Sequence, residues 1–336
     1  MTEFFLIFVV ALVFSVVATP LARRLALATG IVDTPNHRKV HHEPTPLLGG
    51  AAIYASFVVA LLIYGGRAEV RQMIGIVVGA TSVSIMGVLD DTRGVRPSLK
   101  LLGQLLASVV VIVSGLQVHL FHSQVVNIAL TMLWIAGITN ALNLLDNMDG
   151  LSGGIAAIAA AHFLLLAALN GQFLVGALSA ALLGACIGFL RYNFNPASIF
   201  MGDTGSLFIG FVLASVAIKL RFTNTYVVTW MVPPVVLLVP IFDTTLVVVS
   251  RLRRGKNPLT TPGKDHLSHR LVAFGCTRRE AVLICWLIGS SAGMVAVLLT
   301  RAPIRGAYLV AALLAAGGAY AIWQLEGRFS ITTGPE

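Results

Sequence analysis

Apolar runs long enough to cross a bilayer recur from one end of this 336-residue chain to the other. A hydrocarbon core of about 30 Å takes about 20 apolar residues at about 1.5 Å rise each. Such runs lie at 4–22, 47–65, 72–89, 100–120, 125–145, 151–168, 173–191, 204–219, 227–250, 281–299 and 303–323. Backbone polar groups in lipid must bond within their own segment, so each run reads as a helix. The fold class expected is an all-α polytopic integral membrane protein of about eleven spans, with residues 1–336 forming one transmembrane domain. Composition agrees: 57% of the residues are hydrophobic and 11% charged, with a mean hydropathy of +0.88, against about a quarter charged in soluble domains. The first run follows Glu3 rather than a basic segment, and Arg23 and Arg24 come after it, so it reads as a retained helix and not a cleaved signal. Cys186, Cys276 and Cys285 have no metal or redox spacing and read as packing residues.

Charge orients the spans. With the N-terminus outside, the loops near 23–46, 90–99, 146–150, 192–203 and 251–280, their flanks and the C-terminal tail hold 17 of the 23 Lys and Arg, against 6 opposite. That excess places this face in the cytoplasm of a multi-pass plasma-membrane protein. All eight aspartates (Asp33, Asp90, Asp91, Asp146, Asp149, Asp203, Asp243 and Asp265) fall at or near span ends on the same side. Eight carboxylates at mid-membrane would cost on the order of 20 kcal/mol, so an interfacial, water-filled cleft is expected instead. The net charge of +9 comes without any nucleic-acid motif, which leaves the bilayer's anionic headgroups and phosphorylated molecules as partners. Gly75 with Gly79, and Gly184 with Gly188, have the spacing that lets helices approach closely.

Five stretches on that face carry chemistry. "DTPNHRKVHHEPTPLLGG" (33–50) is a His- and Pro-rich loop that taken alone is a basic membrane-surface segment; its Lys39 is a candidate substrate-binding cation. In "LDDTRGVRPSLKLLGQ" (89–104), Asp90 and Asp91 need a counter-charge, from a metal or from Arg93, Arg96 and Lys100. In "NALNLLDNMDGLSGG" (140–154), Asn140, Asn143, Asp146 and Asp149 recur every three residues, which on a helical turn forms one polar stripe; such a stripe could equally line an ion pathway. In "NFNPASIFMGDTGSLFIG" (193–210), Asp203 sits between Gly202 and Gly205 at a helix start. It could be a plain N-cap, or the glycines could leave amide groups open to a phosphate held through a divalent cation, with Phe200 offering a flat face to a base. In "SRLRRGKNPLTTPGKDHLSHRLVAFG" (250–275), His266, His269 and Arg270 gather near Lys264 and Asp265. A zinc half-site is the weaker reading there, and cations gathered for a diphosphate the stronger.

In this order, "LDD", "NALNLLDNMDG", "FMGDTGSL" and "DHLSHR" resemble the polyprenyl-phosphate N-acetylhexosamine-1-phosphate transferase family, over nearly the whole chain from Asp33 to Gly275. Phospho-MurNAc-pentapeptide translocase is its peptidoglycan relative. The resemblance implies an eleven-helix enzyme with a cytoplasmic, Mg2+-dependent site, Mn2+ being a possible substitute. It implies transfer of a sugar 1-phosphate, most simply GlcNAc 1-phosphate, from a UDP-N-acetylhexosamine to undecaprenyl or another polyprenyl phosphate. UMP is released, and the product starts a cell-envelope glycan such as O-antigen or teichoic acid. By the same resemblance, Asp203 is the principal metal ligand with Asp149 near it, while Asn143, Asp146 and Asp149 serve the nucleotide side and Phe200 stacks on uracil. Asp90 and Asp91 lie beside the lipid phosphate, Lys100 holds phosphate charge, and His266, His269 and Arg270 meet the diphosphate. Many members have His-X-His-His where this chain has Ser268 at the middle position, so sugar-specificity rules do not carry over. Dimers occur in the family, and that analogy is the sole ground for a homodimer. Two rivals remain on the residues alone. A transporter would use the acids as an ion relay, but its site belongs near the midplane. A CDP-alcohol phosphotransferase would need a spaced Asp-Gly, Ala-Arg motif that is not found.

Overall fold

The computed structural model describes residues 1–33, 44–64, 69–258, 261 and 263–333, with side chains for all of these except 63, 64 and 328–333. The chain divides into two compact units, Met1–Arg221 and Phe222–Glu336. Lys39 and the histidines of the first loop lie outside the described residues.

The first unit contains α1 (Thr2–Thr29), a two-residue antiparallel pair β1 (Val32–Asp33) and β2 (Thr45–Pro46), α2 (Gly49–Tyr64), α3 (Val70–Arg93), α4 (Pro97–Val113), α5 (Gln124–Leu145), α6 (Leu151–Leu169), α7 (Phe173–Asn193) and α8 (Gly202–Lys219). Pro20 lies inside α1 and lacks the N–H that would bond the Val16 carbonyl; the Tyr192 hydroxyl donates to that carbonyl at 3.0 Å. Gly30, at φ 73°, then ends the helix in the left-handed conformation that glycine adopts without strain. Small residues set the helix spacing as expected: a Cβ on Gly184 would strike the Phe8 carbonyl, and one on Gly79 the Phe211 ring. The most enclosed span is α8, whose residues from Thr204 to Ile218 are all buried. Gly50 on α2, Gly87 on α3 and Thr139 on α5 meet its backbone or glycines, so three helix ends can converge on the Asp203 end of α8.

The second unit contains α9 (Tyr226–Val236), α10 (Leu238–Arg253), the short α11 (Leu267–Ala273), α12 (Arg278–Leu299) and α13 (Ile304–Thr333). A capping box starts α12, with Thr277 and Glu280 satisfying each other's backbone amides.

Among the described residues, eight helices are long and apolar enough to span a membrane, or nine if the bent pair α9 and α10 is one span. With α2 and α4, which are shorter, every expected run is helical. Two expectations need correction. Run 227–250 is not one helix: it bends by 73° at Leu237, just after Pro233 and Pro234, which remove ladder donors and crowd the preceding turn. Run 100–120 stops at Val113, because Gly115 (φ 96°) leaves the helix and Asn127 and Thr131 of α5 take up the amides of Val118, Leu120 and Phe121. Large apolar residues stand exposed along α1 (Phe5, Val13, Val17, Leu21) and α13 (Leu309, Leu313, Trp323), as surfaces facing lipid do. This is a multi-pass membrane protein.

Candidate active site

Within the first unit, Lys100 joins three elements. Its ammonium donates to Asp90 Oδ2 at 2.9 Å and to Asp203 Oδ2, so the end of α3, the first turn of α4 and the start of α8 share one cation. A lysine in a first helical turn opposes the helix dipole, and the two carboxylates supply the compensation. Asp90 Oδ1 also accepts the Val95 N–H at 2.5 Å, which fixes the α3–α4 turn that aims the lysine.

Asp91 does different work. One residue further round a helix is about 100° away, and its carboxylate faces the start of α8 instead of Lys100. Oδ1 accepts the Asp203 N–H at 2.8 Å, and Oδ2 accepts the Thr204 N–H at 3.0 Å and its hydroxyl at 2.7 Å. Met201, the residue before α8, provides no side-chain cap, so Asp91 caps α8 from another helix. Two expectations are corrected here. Asp203 is not the N-cap, and these amide groups are not open to a phosphate, because the Asp91 carboxylate lies 2.6 Å from where a Cβ on Gly202 would be. Asp90 and Asp91, adjacent in sequence, are not one acid pair in space.

The polar stripe of α5 is half helix and half turn. Gln104 of α4 and Asn140 exchange amide hydrogen bonds at 3.3 and 2.6 Å, and Asn143 Nδ2 donates to Asp203 Oδ1 and Ser206 Oγ, each at 2.9 Å. The helix then ends at Leu145, with Asp146 as C-cap, so Asp146 and Asp149 leave the helical face predicted for them. Gly150, at φ 77°, turns the chain into α6. Asp149 Oδ2 accepts from Asn195 Nδ2 at 3.0 Å and the Ala197 N–H at 2.9 Å, and the Gly150 N–H donates to Asn193 Oδ1 at 3.0 Å. Turn 146–150 is thereby tied to segment 193–199. Phe200 follows, half-buried, its backbone hydrogen-bonded to Pro46 and Gly49.

Asp146 is the exception in this network. Its carboxyl has no hydrogen-bond partner among the described residues. Withdrawal from water, then the negative charges of Asp203, Asp91 and Asp149, push it up to about 8. No three His, Cys, Asp or Glu side chains among the described residues are already gathered as a metal cluster. The donor chemistry nevertheless fits a hard divalent cation: Asp146, Asp203 and Asp149 Oδ1 are oxygen donors, and Asp146 faces only like charge.

The histidine motif belongs to the second unit. Asp265 is buried between Arg251 (3.2 Å) and Arg254; burial alone would raise it, but these guanidinium groups hold its carboxyl below the ordinary aspartate range. Arg270 is fully buried and donates to the Asp265 carbonyl at 2.9 Å, Ser250 Oγ at 2.9 Å and Glu326 Oε1 at 2.5 Å. Expected as a diphosphate ligand, it is here a clamp between α10, α11 and α13. His269 is half-buried; burial, His266 and Lys264 push it down to about 4, so it is neutral at pH 7 and adds no charge for a diphosphate. His266 is buried, with Nδ1 2.7 Å from Asp243 Oδ2.

In the sequence Asp243 has a place among the span-end acids but no role, and none is offered for Glu326, Ser206 or Asn195. Asp243 had a signal, an acid within the apolar run 227–250, and intramembrane acids are functional candidates by default. Glu326, Ser206 and Asn195 carry no local mark.

Residues 73–221 match the family model described as "Glycosyl transferase family 4". The chain is 37% identical over 306 residues, covering 88% of this chain and 85% of the relative, to the "Probable undecaprenyl-phosphate N-acetylglucosaminyl 1-phosphate transferase" of Bacillus subtilis. It is 33% identical over 322 residues, 85% of this chain and 79% of the relative, to the "Decaprenyl-phosphate N-acetylglucosaminephosphotransferase" of Mycolicibacterium smegmatis. The "Phospho-N-acetylmuramoyl-pentapeptide-transferase" of Bacillus cytotoxicus is 33% identical over 239 residues, 64% of this chain and 73% of the relative.

Proposed function

This chain belongs to the polyprenyl-phosphate N-acetylhexosamine-1-phosphate transferase family, and from that premise we propose that it moves GlcNAc 1-phosphate from UDP-GlcNAc to a polyprenyl phosphate and releases UMP. The observation that carries this reading is Lys100 held between Asp90 and Asp203, with Asn143 on Asp203 and Asp146 unpartnered beside them. Acids and a cation balanced this closely suit a reaction between two polyanions, where positioning and charge stabilisation carry most of the rate.

Asp203, Asp146 and Asp149 are the residues that would hold magnesium in this reading, and the ion would supply positive charge to offset the diphosphate and the departing UMP oxygen. Lys100 offers its ammonium to phosphate oxygens. Asn143 keeps Asp203 oriented through Oδ1, leaving the carboxylate little freedom to swing. The lipid phosphate has its second pKa near about 6, so much of it is already ionised at neutral pH and no strong base is required. Asp90 steers any residual proton. A lipid phosphate oxygen then forms its bond to the β-phosphorus as the bond to UMP breaks, UMP leaving with the electron pair. One phosphoanhydride replaces another, so the step runs readily in both directions. The 146–150 and 193–200 segments, tied together through Asp149, serve the uridine, with the Phe200 ring against uracil. The site faces the cytoplasm, where UDP-sugars are made, in keeping with the basic residues on that face.

The test is purified protein with magnesium, a polyprenyl phosphate and a panel of UDP-sugars, scoring UMP. UDP-GlcNAc should be the donor used, and labelled UMP should exchange into it when product lipid is present. Release of UMP from no UDP-sugar would end the proposal. Capture of a sugar-phosphate on an aspartate would replace direct attack by a two-step route.

A further inference from the structure

Asp243 lies in α10, is 1% exposed, and both its carboxylate oxygens are engaged at the start of α11. Oδ2 is 2.7 Å from His266 Nδ1, and Oδ1 accepts the Leu267 N–H, also at 2.7 Å. An ionised carboxylate can only accept, so the nitrogen facing it must carry the hydrogen. His266 Nε2 finds no hydrogen-bond partner among the described residues, and the ring leans edge-on towards His269, centroids 6.1 Å apart. We propose that Asp243 is a positioning residue that locks His266 as the Nδ1–H tautomer and so leaves the Nε2 lone pair as the ring's one unengaged hydrogen-bonding group among the described residues. This rests on the transferase reading above for its consequence in catalysis, but the tautomer itself follows from the carboxylate alone.

Replacing Asp243 by Asn separates position from tautomer. The Leu267 N–H needs an acceptor, so the single amide oxygen of Asn must stay with it and the NH2 group then faces His266 Nδ1. Holding Nδ1–H against that NH2 would bury two donors face to face, whereas moving the hydrogen to Nε2 leaves every bond made. The cap on α11 survives, and Nε2 changes from acceptor to donor. The ionisable groups around the pair are His269 on its own element, which Asp243 also acts on, Cys285 of α12, which lies within the field of Asp243, and Lys264 and Arg278, which act on His269 from the flanking loop and α12.

The full-length protein in nanodiscs, labelled with 15N-histidine and with the His266 signal assigned by its loss in His266→Asn, tests this. Wild type should show His266 as Nδ1–H at a pH where the ring is neutral. Asp243→Asn should show Nε2–H at His266 with His269 still neutral, and UMP release should fall about 100-fold, the scale of a lost acid–base or donor group. Asp243→Glu, which keeps two acceptors, should retain the Nδ1–H form and recover part of that loss. A wild-type spectrum with Nε2–H would overturn the proposal even if Asp243→Asn fails to fold. An inverted tautomer with undiminished UMP release would overturn it as well. Absence of UMP release from wild type with every UDP-sugar would instead sink the transferase reading, and the spectra would still decide the tautomer.

Discussion

Removing the cation shared by Asp90 and Asp203 tests the centre of the site without relying on turnover. In Lys100→Met the side chain keeps its length but loses the ammonium that both carboxylates bond. Two acceptors on one nitrogen hold their charge centres roughly 5 Å apart. The three side chains are 17%, 19% and 25% exposed, which calls for an intermediate effective dielectric and not that of water. At about 20, two like charges at that distance repel by about 3 kcal/mol, and Lys100→Met should be destabilised by about that amount. Lys100→Met with Asp203→Asn should cost only about 1 kcal/mol, since one of the two charges is gone while the Asn oxygen still accepts from Asn143. Equilibrium unfolding in mixed micelles, without magnesium, measures all four corners of the cycle. Wild-type stability in Lys100→Met, or a double variant worse than the sum of the singles, would refute the reasoning.

Asp203→Asn should release no UMP above background while its circular dichroism and unfolding midpoint stay near wild type; retained turnover would remove Asp203 from the site. Asp149→Ala should lose about 1–3 kcal/mol by freeing Asn195 and Ala197, while Asp149→Asn should hold the loop through its remaining oxygen yet need more magnesium for the same rate. Equal magnesium dependence in Asp149→Asn and wild type would confine Asp149 to the loop. Asp265 is held below the ordinary value of 3.8, so its bonds to Arg251 and Arg254 add stability that is complete above that value and is lost as pH falls through the lower folded one. Unfolding followed from roughly pH 5 down to roughly pH 3 should therefore be less steep in Asp265→Asn than in wild type, and identical slopes would contradict the assignment.

The spans were legible because hydropathy is a local property and lipid offers the backbone no partner outside its own segment. The errors have local causes too: Pro233 and Pro234 were in plain view inside run 227–250, but a sum of hydropathy does not register a bend. The acids were legible as a class, since nothing apolar explains eight aspartates near one set of span ends. Their division of labour was not. Asp90 and Asp91 look alike in sequence, and Asp91 finds its partner 112 residues away in the first turn of α8. Arg270 reads in the sequence as a cation for a diphosphate, whereas in the fold Ser250, Asp265 and Glu326 close around it.

By itself the sequence determined that this is a many-helix membrane protein with its carboxylates at span ends and the motifs of one family of lipid-phosphate transferases. Hydrophobic periods and residue types suffice for that, because each is decided within a turn or two of chain. Only the tertiary structure decided which carboxylate bonds Lys100, which caps α8, which ties the 146–150 turn to segment 193–199 and which stands alone. Hydrogen bonds reach about 3 Å, and which groups come within that reach depends on how glycine-lined helices cross.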